Sequence, residues 1–351
     1  MNKETSVLTI GPSLVDFEFN LTGKSERYDA VTKYLEVNPG EWKLIPQEEQ
    51  LEEIIELLLG QKLPTGLDDI LALQKQHNFE ITAGSSNLGV LAALDQKDRT
   101  NSTFMSAVGK NNISIDPFSS FFSRSLDNYG IKHLKSEIHG KNPIGIVLSM
   151  VDKPDKILLT HPGVGYEVES SLCKPKDFNL LHVEAYELRD GKIADTIDYL
   201  IKNTDSKVSI GLGNSKIING KLKTKILSYI EQGKVDILMA NEYEITELLD
   251  LKKELLSVEE ISQLNIKYKI PHIMITLGER GISAFSNGKF AYSKAQEAIN
   301  IKNTSGAGDT AAGVFISGIL NNHELPDILK NATYYASRVL EIYGNKLPKG
   351  R

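Results

Sequence analysis

The chain is poor in the features that would place it outside the cell, in a membrane or on a nucleic acid. Its 351 residues include one cysteine, Cys173, so no internal disulfide can form, and a lone thiol of this kind fits a reducing compartment. No stretch approaches the ~18 apolar residues that a membrane span requires. The first residues, Met1-Asn2-Lys3-Glu4-Thr5, lead into an apolar strand without a signal-type apolar region, which points to the cytoplasm. Basic residues number 40 against 46 acidic, for a net charge of −6. With no basic stripe or arginine-rich arm there is no electrostatic case for nucleic acid. Internal repeats and low-complexity tracts are also missing. What remains is an ordinary globular composition, 40% hydrophobic and 25% charged, long enough for a large core.

Short β-type runs recur at 6–10, 145–151, 156–160, 179–183, 208–210, 235–239 and 272–277. They alternate with helical patterns such as 50–59, where Leu51, Ile54, Ile55 and Leu58 mark one face. Strands alternating with helices predict a mostly parallel sheet covered on both sides, a three-layer α/β architecture. Two regions break the alternation: 20–47, and the strands of 135–160 with the turn signal Asp152-Lys153-Pro154-Asp155.

The densest chemical signal is Asn303-Thr304-Ser305-Gly306-Ala307-Gly308-Asp309-Thr310, followed by an apolar helical run to Leu320. Glycines around an alanine let a ligand approach the backbone. The free N–H groups of the first turn, from Gly306 through Ala307 and Gly308 to Asp309, suit a phosphoryl group gaining negative charge. A carboxylate beside that anion makes sense as the base that takes an acceptor hydroxyl's proton. The plainer alternative is a glycine turn in which Asp309 caps the helix.

This stretch resembles the signature of the ribokinase-like carbohydrate kinases, the PfkB family, whose pattern runs Asp-Thr-x-Gly-Ala-Gly-Asp. Ile10-Gly11-Pro12-Ser13-Leu14-Val15-Asp16, Gly84-Ser85-Ser86-Asn87, Asn241-Glu242-Tyr243-Glu244 and Thr276-Leu277-Gly278-Glu279-Arg280-Gly281 are similar to further motifs of that family in order and spacing. The run from Tyr34-Leu35 through Pro39-Gly40-Glu41-Trp42 to Ile45 is most similar to its bacterial adenosine-kinase-like branch. The resemblance implies a ribokinase-like αβα core over 1–19, 48–134 and 161–351, and a small β lid over 20–47 and 135–160 that often makes a dimer contact. It implies ATP and Mg²⁺ as cofactors and a sugar or nucleoside as acceptor. It assigns Asp16, Asn20, Gly84 and Asn87 to the acceptor, Thr276, Gly278 and Asn331 to the nucleotide, and Asn241 and Glu244 to magnesium through water.

Each of these residues also has a plainer reading. Asp16 could be a solvated loop carboxylate, Asn87 an N-cap for the helix of 88–94, and Asn-x-x-Glu a capping box. The chain also departs from the pattern. Thr82-Ala83 replace two glycines, Asn303 stands where the signature begins with an acid, and Asn214 stands where the nearest branch has an aspartate. These departures leave open a second class, a weakly active or inactive relative that binds a sugar or nucleoside. Residues 60–80 look longer than the family's connection. Gly23-Lys24-Ser25 lacks a Walker A context because position 18 is Glu18, and His133, His139, His161 and His182 lack metal-ligand spacing with Cys173.

Overall fold

The computed structural model describes residues 6–21, 26–37, 42–62, 64, 66–74, 79–94, 101–112, 114–150, 156–251, 260, 263, 267–302, 305–342 and 346–347. In chain order the strands are β1 (Ser6–Ile10), β2 (Val15–Leu21), β3 (Trp42–Leu44), β4 (Phe79–Ala83), β5 (Asn101–Lys110), β6 (Lys132–His139), β7 (Ile144–Met150), β8 (Ile157–His161), β9 (Leu180–Glu184), β10 (Lys207–Gly211), β11 (Ile237–Asn241), β12 (His272–Thr276), β13 (Ile282–Ser286) and β14 (Lys289–Ser293). Nine of them form one sheet in the order β14-β13-β12-β11-β10-β9-β1-β5-β6. From β6 to β12 every neighbouring pair is parallel, and β13 and β14 add an antiparallel edge. The expected α/β class with a mostly parallel central sheet is what the chain adopts. Two separate apolar clusters flank this sheet, as a sheet buried on both faces requires.

The other five strands form a second sheet in the order β3-β8-β7-β2-β4. Along β2, Val15, Phe17 and Phe19 join the first apolar cluster, while Asp16 and Glu18 point the other way; the period of two puts acids on one face and the core on the other. Phe79 of β4 stacks on Phe17 and Phe19 at 5.9 and 5.2 Å between centroids, and Phe118 meets Phe17 edge-on at 5.6 Å. Since Phe118 belongs to the Pro117–Tyr129 helix, which covers the large sheet, these rings anchor the small sheet to the core.

Strand membership differs from expectation at three places. Residues 135–139 belong to β6 of the large sheet, because β5, the Pro117–Tyr129 helix and β6 make a crossover unit that returns parallel. His133 pins that edge between Ser106 Oγ at 2.7 Å and Ser123 Oγ at 3.0 Å. Residues 15–19 and 79–83 lie in the small sheet, where β2 and β4 pair antiparallel. The long 60–80 connection supplies the Leu67–Gln74 helix that leads into β4. The turn at 152–155 and the Gly23-Lys24-Ser25 string lie outside the described residues. Among the described residues, no helix is long and apolar enough to cross a membrane.

The helix Ala307–Leu320 packs between the helices Ser86–Leu94 and Leu325–Val339. Gly313 lies on the side of Val90 and Ala93, and Gly318 faces Ile328. Five residues apart, they stand about 140° apart around the axis at ~100° per residue, so each opens a different side of the helix. A Cβ at Gly313 would collide with the Val90 carbonyl oxygen, and one at Gly318 would press into Ile328. Replacing Gly313 by Val is expected to destabilise the fold by about 1–3 kcal/mol or more, read by denaturant unfolding, through overpacking.

Candidate active site

A cavity of about 300 Å³ opens between the carboxyl edge of the large sheet and the acidic face of the small one, where open α/β sheets place their ligands. Asp16 and Glu18 reach it from β2, and Gly145 and Val147 from β7. Ser85 and Ser86 come from the start of the Ser86–Leu94 helix, Tyr186, Glu187 and Arg189 from the turn after β9, and Ser305, Gly306 and Asp309 from the signature. Ile146, Leu158 and Leu159 add apolar wall.

Asp16 is 8% exposed, so it is not a solvated loop carboxylate. It also sits on β2 of the small sheet, rather than at the end of β1 where the strand pattern placed it. A Cβ at Gly84 or Gly145 would strike its carboxylate, so the two glycines hold the space it occupies. Burial, with a push from Glu18, raises its pKa to about 7.

Gly306 at φ 83° is the N-cap of the signature helix, and Ala307, Gly308 and Asp309 form its first turn. Asp309 therefore does not cap the helix. A Cβ at Gly308 would meet nothing within 4 Å, whereas one at Gly89 would lie 2.8 Å from Asp309 Cβ. The first turn thus faces open space on one side and presses on the neighbouring helix at Gly89. Burial and Glu184 raise the Asp309 pKa to about 7, opposed by Lys346 and His182. Lys346 is itself buried, its pKa lowered by desolvation and supported by Asp16, Glu18 and Asp309.

Asn87 is the second residue of the Ser86–Leu94 helix rather than its N-cap. Its Oδ1 accepts from Thr9 Oγ1 at 2.6 Å. At Thr82, where a glycine was expected, the hydroxyl donates to Glu18 Oε1 at 3.1 Å. The added side chain steadies an acid of the cavity. Asn20 lies on β2 opposite Ser149, and its side chain lies outside the described residues, as do Asn303 and Thr304.

Asn241 and Glu244 form a full capping box, the plainer of the two readings. Asn241 Oδ1 accepts from Glu244 N at 2.9 Å, and the Glu244 carboxylate accepts from Asn241 N at 2.8 Å and Asn241 Nδ2 at 2.7 Å. Burial raises the Glu244 pKa to about 7, with Glu184 and Asp309 adding to it. Thr276 is paired in register with Asn241 on the adjacent strand, and Gly278 at φ 57° starts the turn that follows. The exposed Arg280 of that turn pairs with the buried Glu242. Asn331 sits half-buried on the Leu325–Val339 helix, whose Thr333 meets Ser293 of β14 at 3.2 Å. These residues cluster toward the β11–β14 end, while Asp16, Gly84 and Asn87 gather near β1 and β9. The signature helix lies between the two groups.

Several residues near the site belong to no motif. Glu184 ends β9, and Gly211 opposite it on β10 leaves room that a Cβ would fill. Burial raises the Glu184 pKa to about 8, while burial lowers that of His182 to about 4. Their 3.2 Å contact is therefore a neutral hydrogen bond near pH 7. A carboxyl group thus stands one strand away from Asn214, which instead caps a short turn by accepting from Lys216 N at 2.9 Å. Glu187 follows, also raised to about 8 by burial and Glu184. The polar string His182-Val183-Glu184-Ala185-Tyr186-Glu187 at a strand's carboxyl end was the available signal. Lys156, just before β8, donates to Ser305 Oγ at 2.7 Å, joining the small sheet to the signature loop. Nothing local marked Lys346.

The cavity thus joins an acid in the first turn of a helix, Asp309, with a second acid from the small sheet, Asp16. The chain belongs to the pfkB family of carbohydrate kinases, whose family model matches residues 72–348. The fold is similar to that of adenosine kinase from Sinorhizobium meliloti, at 17% identity and TM-score 0.77 over 98% of this chain and 96% of that one. It is equally similar to a probable sugar kinase from Rhizobium etli, at 17% identity and TM-score 0.77 over 98% and 95%. Ribokinase from Cryptococcus neoformans, solved with ADP, matches at 18% identity and TM-score 0.66 over 97% and 95%.

The acids make stability depend on pH. Asp16, Asp309 and Glu244 near 7, with Glu184 and Glu187 near 8, keep protons in the folded state that the unfolded chain releases from about pH 4 upward. Each therefore lowers stability as pH rises toward its folded pKa. His133, His182 and His272, lowered to about 4, act oppositely, but only up to their unfolded value near 6.5. The melting temperature of the unliganded protein is expected to fall between pH 6.5 and 8. Glu184→Gln should make that fall shallower in the same thermal scans.

Proposed function

We propose that the chain transfers the γ-phosphoryl group of ATP to a hydroxymethyl group of a sugar or nucleoside. The observation that carries this reading is the position of Asp309, in the first turn of the signature helix and on the wall of the acceptor cavity. Asp309 takes the proton of the acceptor hydroxyl as its oxygen bonds to the γ-phosphorus and the bond to the β-phosphate oxygen breaks, releasing ADP. The backbone N–H groups from Gly306 to Gly308 receive the charge that develops on the transferring group. Asp16 and Asn87 orient the acceptor. Gly84 preserves the space around Asp16, and Asn20 on the same strand belongs with this set.

On the nucleotide side, Thr276 and Gly278 border the triphosphate and Asn331 approaches the base. Glu184 and Asp309 lie close enough to Glu244 to raise its pKa, and a cation such as magnesium near Glu244 would offset them. Among the described residues no cluster of three or more such side chains could hold a metal ion, so Asn241 and Glu244 would hold it through water, since each Glu244 oxygen retains a free lone pair. Bound there, the ion supplies charge neutralisation for the phosphates. Pairing of two copies through the small sheet belongs to the same proposal.

The rival reading, a weakly active or inactive binding protein, rests on Asn303, Asn214 and the Thr82-Ala83 pair in place of two glycines. Retention of Asp309 beside an open helix N-terminus weighs against it. Asp309→Asn is expected to lower turnover at least a hundredfold while ADP binding, measured by calorimetry, stays within a few-fold of the unmodified protein. Full activity of this variant would remove Asp309 as the base. In the unmodified enzyme, kcat/KM for the acceptor should rise through about pH 7 as Asp309 ionises.

A further inference from the structure

Among the described residues three buried side-chain polar atoms that meet no full hydrogen-bond geometry sit together beside the acceptor cavity: Ser85 Oγ, Asn87 Nδ2 and Glu187 Oε2, with the Asn87 amide near enough to Glu187 to act against the rise of its pKa. Ser85 and Glu187 line the cavity. A Cβ at Gly11 would lie 3.0 Å from both Ser85 Oγ and Asn87 Nδ2, so these two atoms converge over a glycine that leaves the space between them clear. Ser85 holds this position at φ 75°, a backbone conformation unfavourable for serine. Glu187 is 5% exposed and Asn87 fully buried. Unpaired polar atoms in such places cost stability, and their concentration in one cavity points to a ligand that pairs with them.

We infer that Glu187 is a specificity-determining residue, and that the acceptor is an uncharged molecule presenting O–H or N–H donors to Glu187. This rests on the kinase reading for what the cavity holds. A carboxyl oxygen, an amide N–H and a hydroxyl together suit a pair of neighbouring hydroxyls, each of which both gives and accepts a hydrogen bond.

The lining is rich in carboxyl groups where an acceptor that already carries a phosphate would call for cations. Asp16, Glu18, Glu187 and Asp309 all line the cavity. Among the described residues Lys156 is on Ser305, and Lys346 is coupled to Asp16, Glu18 and Asp309. Arg189 also lines the cavity, and its guanidinium is engaged, with Nε donating to the Tyr186 carbonyl at 3.1 Å and Nη2 to the Tyr166 hydroxyl at 3.4 Å. A site built to hydrogen-bond a donor also discriminates strongly against analogues that lack it.

The test is calorimetric binding of ribose, fructose, adenosine and fructose 6-phosphate, without ATP, to the unmodified chain, Glu187→Gln and Glu187→Leu. At least one of the three uncharged compounds is expected to bind. Glu187→Leu should weaken it tenfold or more and Glu187→Gln less, and fructose 6-phosphate should bind more weakly than fructose. Unliganded Glu187→Leu should melt no lower than the unmodified protein, a result that a merely structural glutamate would not give. Equal affinity in Glu187→Leu, tighter binding of fructose 6-phosphate, or no binding by any uncharged compound would overturn the inference. Because ATP is left out, a chain that binds in this pattern but never transfers phosphate would remove the catalytic reading and leave this one standing.

Discussion

The close packing of the Ser86–Leu94 helix against the signature helix is the constraint on which the site depends. Gly89 leaves no Cβ where Asp309 Cβ would be 2.8 Å away, and Gly313 brings the second helix against the Val90 carbonyl. This packing sets Asp309 on the cavity wall, and Ser85, just before the first helix, lines the same cavity. Gly84, just upstream, together with Gly145 makes room for Asp16. Side chains omitted at a few glycines therefore position carboxyl groups that would otherwise turn toward solvent.

Gathering those carboxyl groups has an electrostatic cost. Asp16, Asp309, Glu184, Glu187 and Glu244 are all raised well above ordinary carboxylic acids, burial being the first cause in each. Such groups mark functional sites more often than structural ones. A cation and a hydroxylated ligand donating hydrogen bonds are the partners that would relieve them. The nearby lysines fit the same scheme: Lys156 ties the small sheet to Ser305, and Lys346 is buried within range of three acids.

Much of this was legible in the sequence, and the rest was hidden for identifiable reasons. The parallel core followed from strands alternating with helices, and the signature loop followed from its glycines. Strand β2 was harder, because Val15-Asp16-Phe17-Glu18-Phe19 alternates at a period of two yet directly follows β1, so it reads as the end of that strand rather than the start of another sheet. Strand β6 was drawn to the wrong sheet because only the intervening helix, capped by Gly130 at φ 70°, shows that it returns parallel to β5. Glu184 and Glu187 carry no motif; they matter because Gly211 and the cavity lie opposite them, a long-range fact. Asn241 and Glu244 show the reverse problem, since one spacing serves a helix cap and a site, and the cap is fully formed.

The most direct test of the central claim is phosphorus NMR of the protein with ATP, magnesium and a panel of uncharged sugars and nucleosides. A new phosphomonoester signal that grows with one acceptor, matched by an equal amount of ADP, is the result this account requires. ATP left intact with every acceptor, or cleaved only to inorganic phosphate, would contradict it.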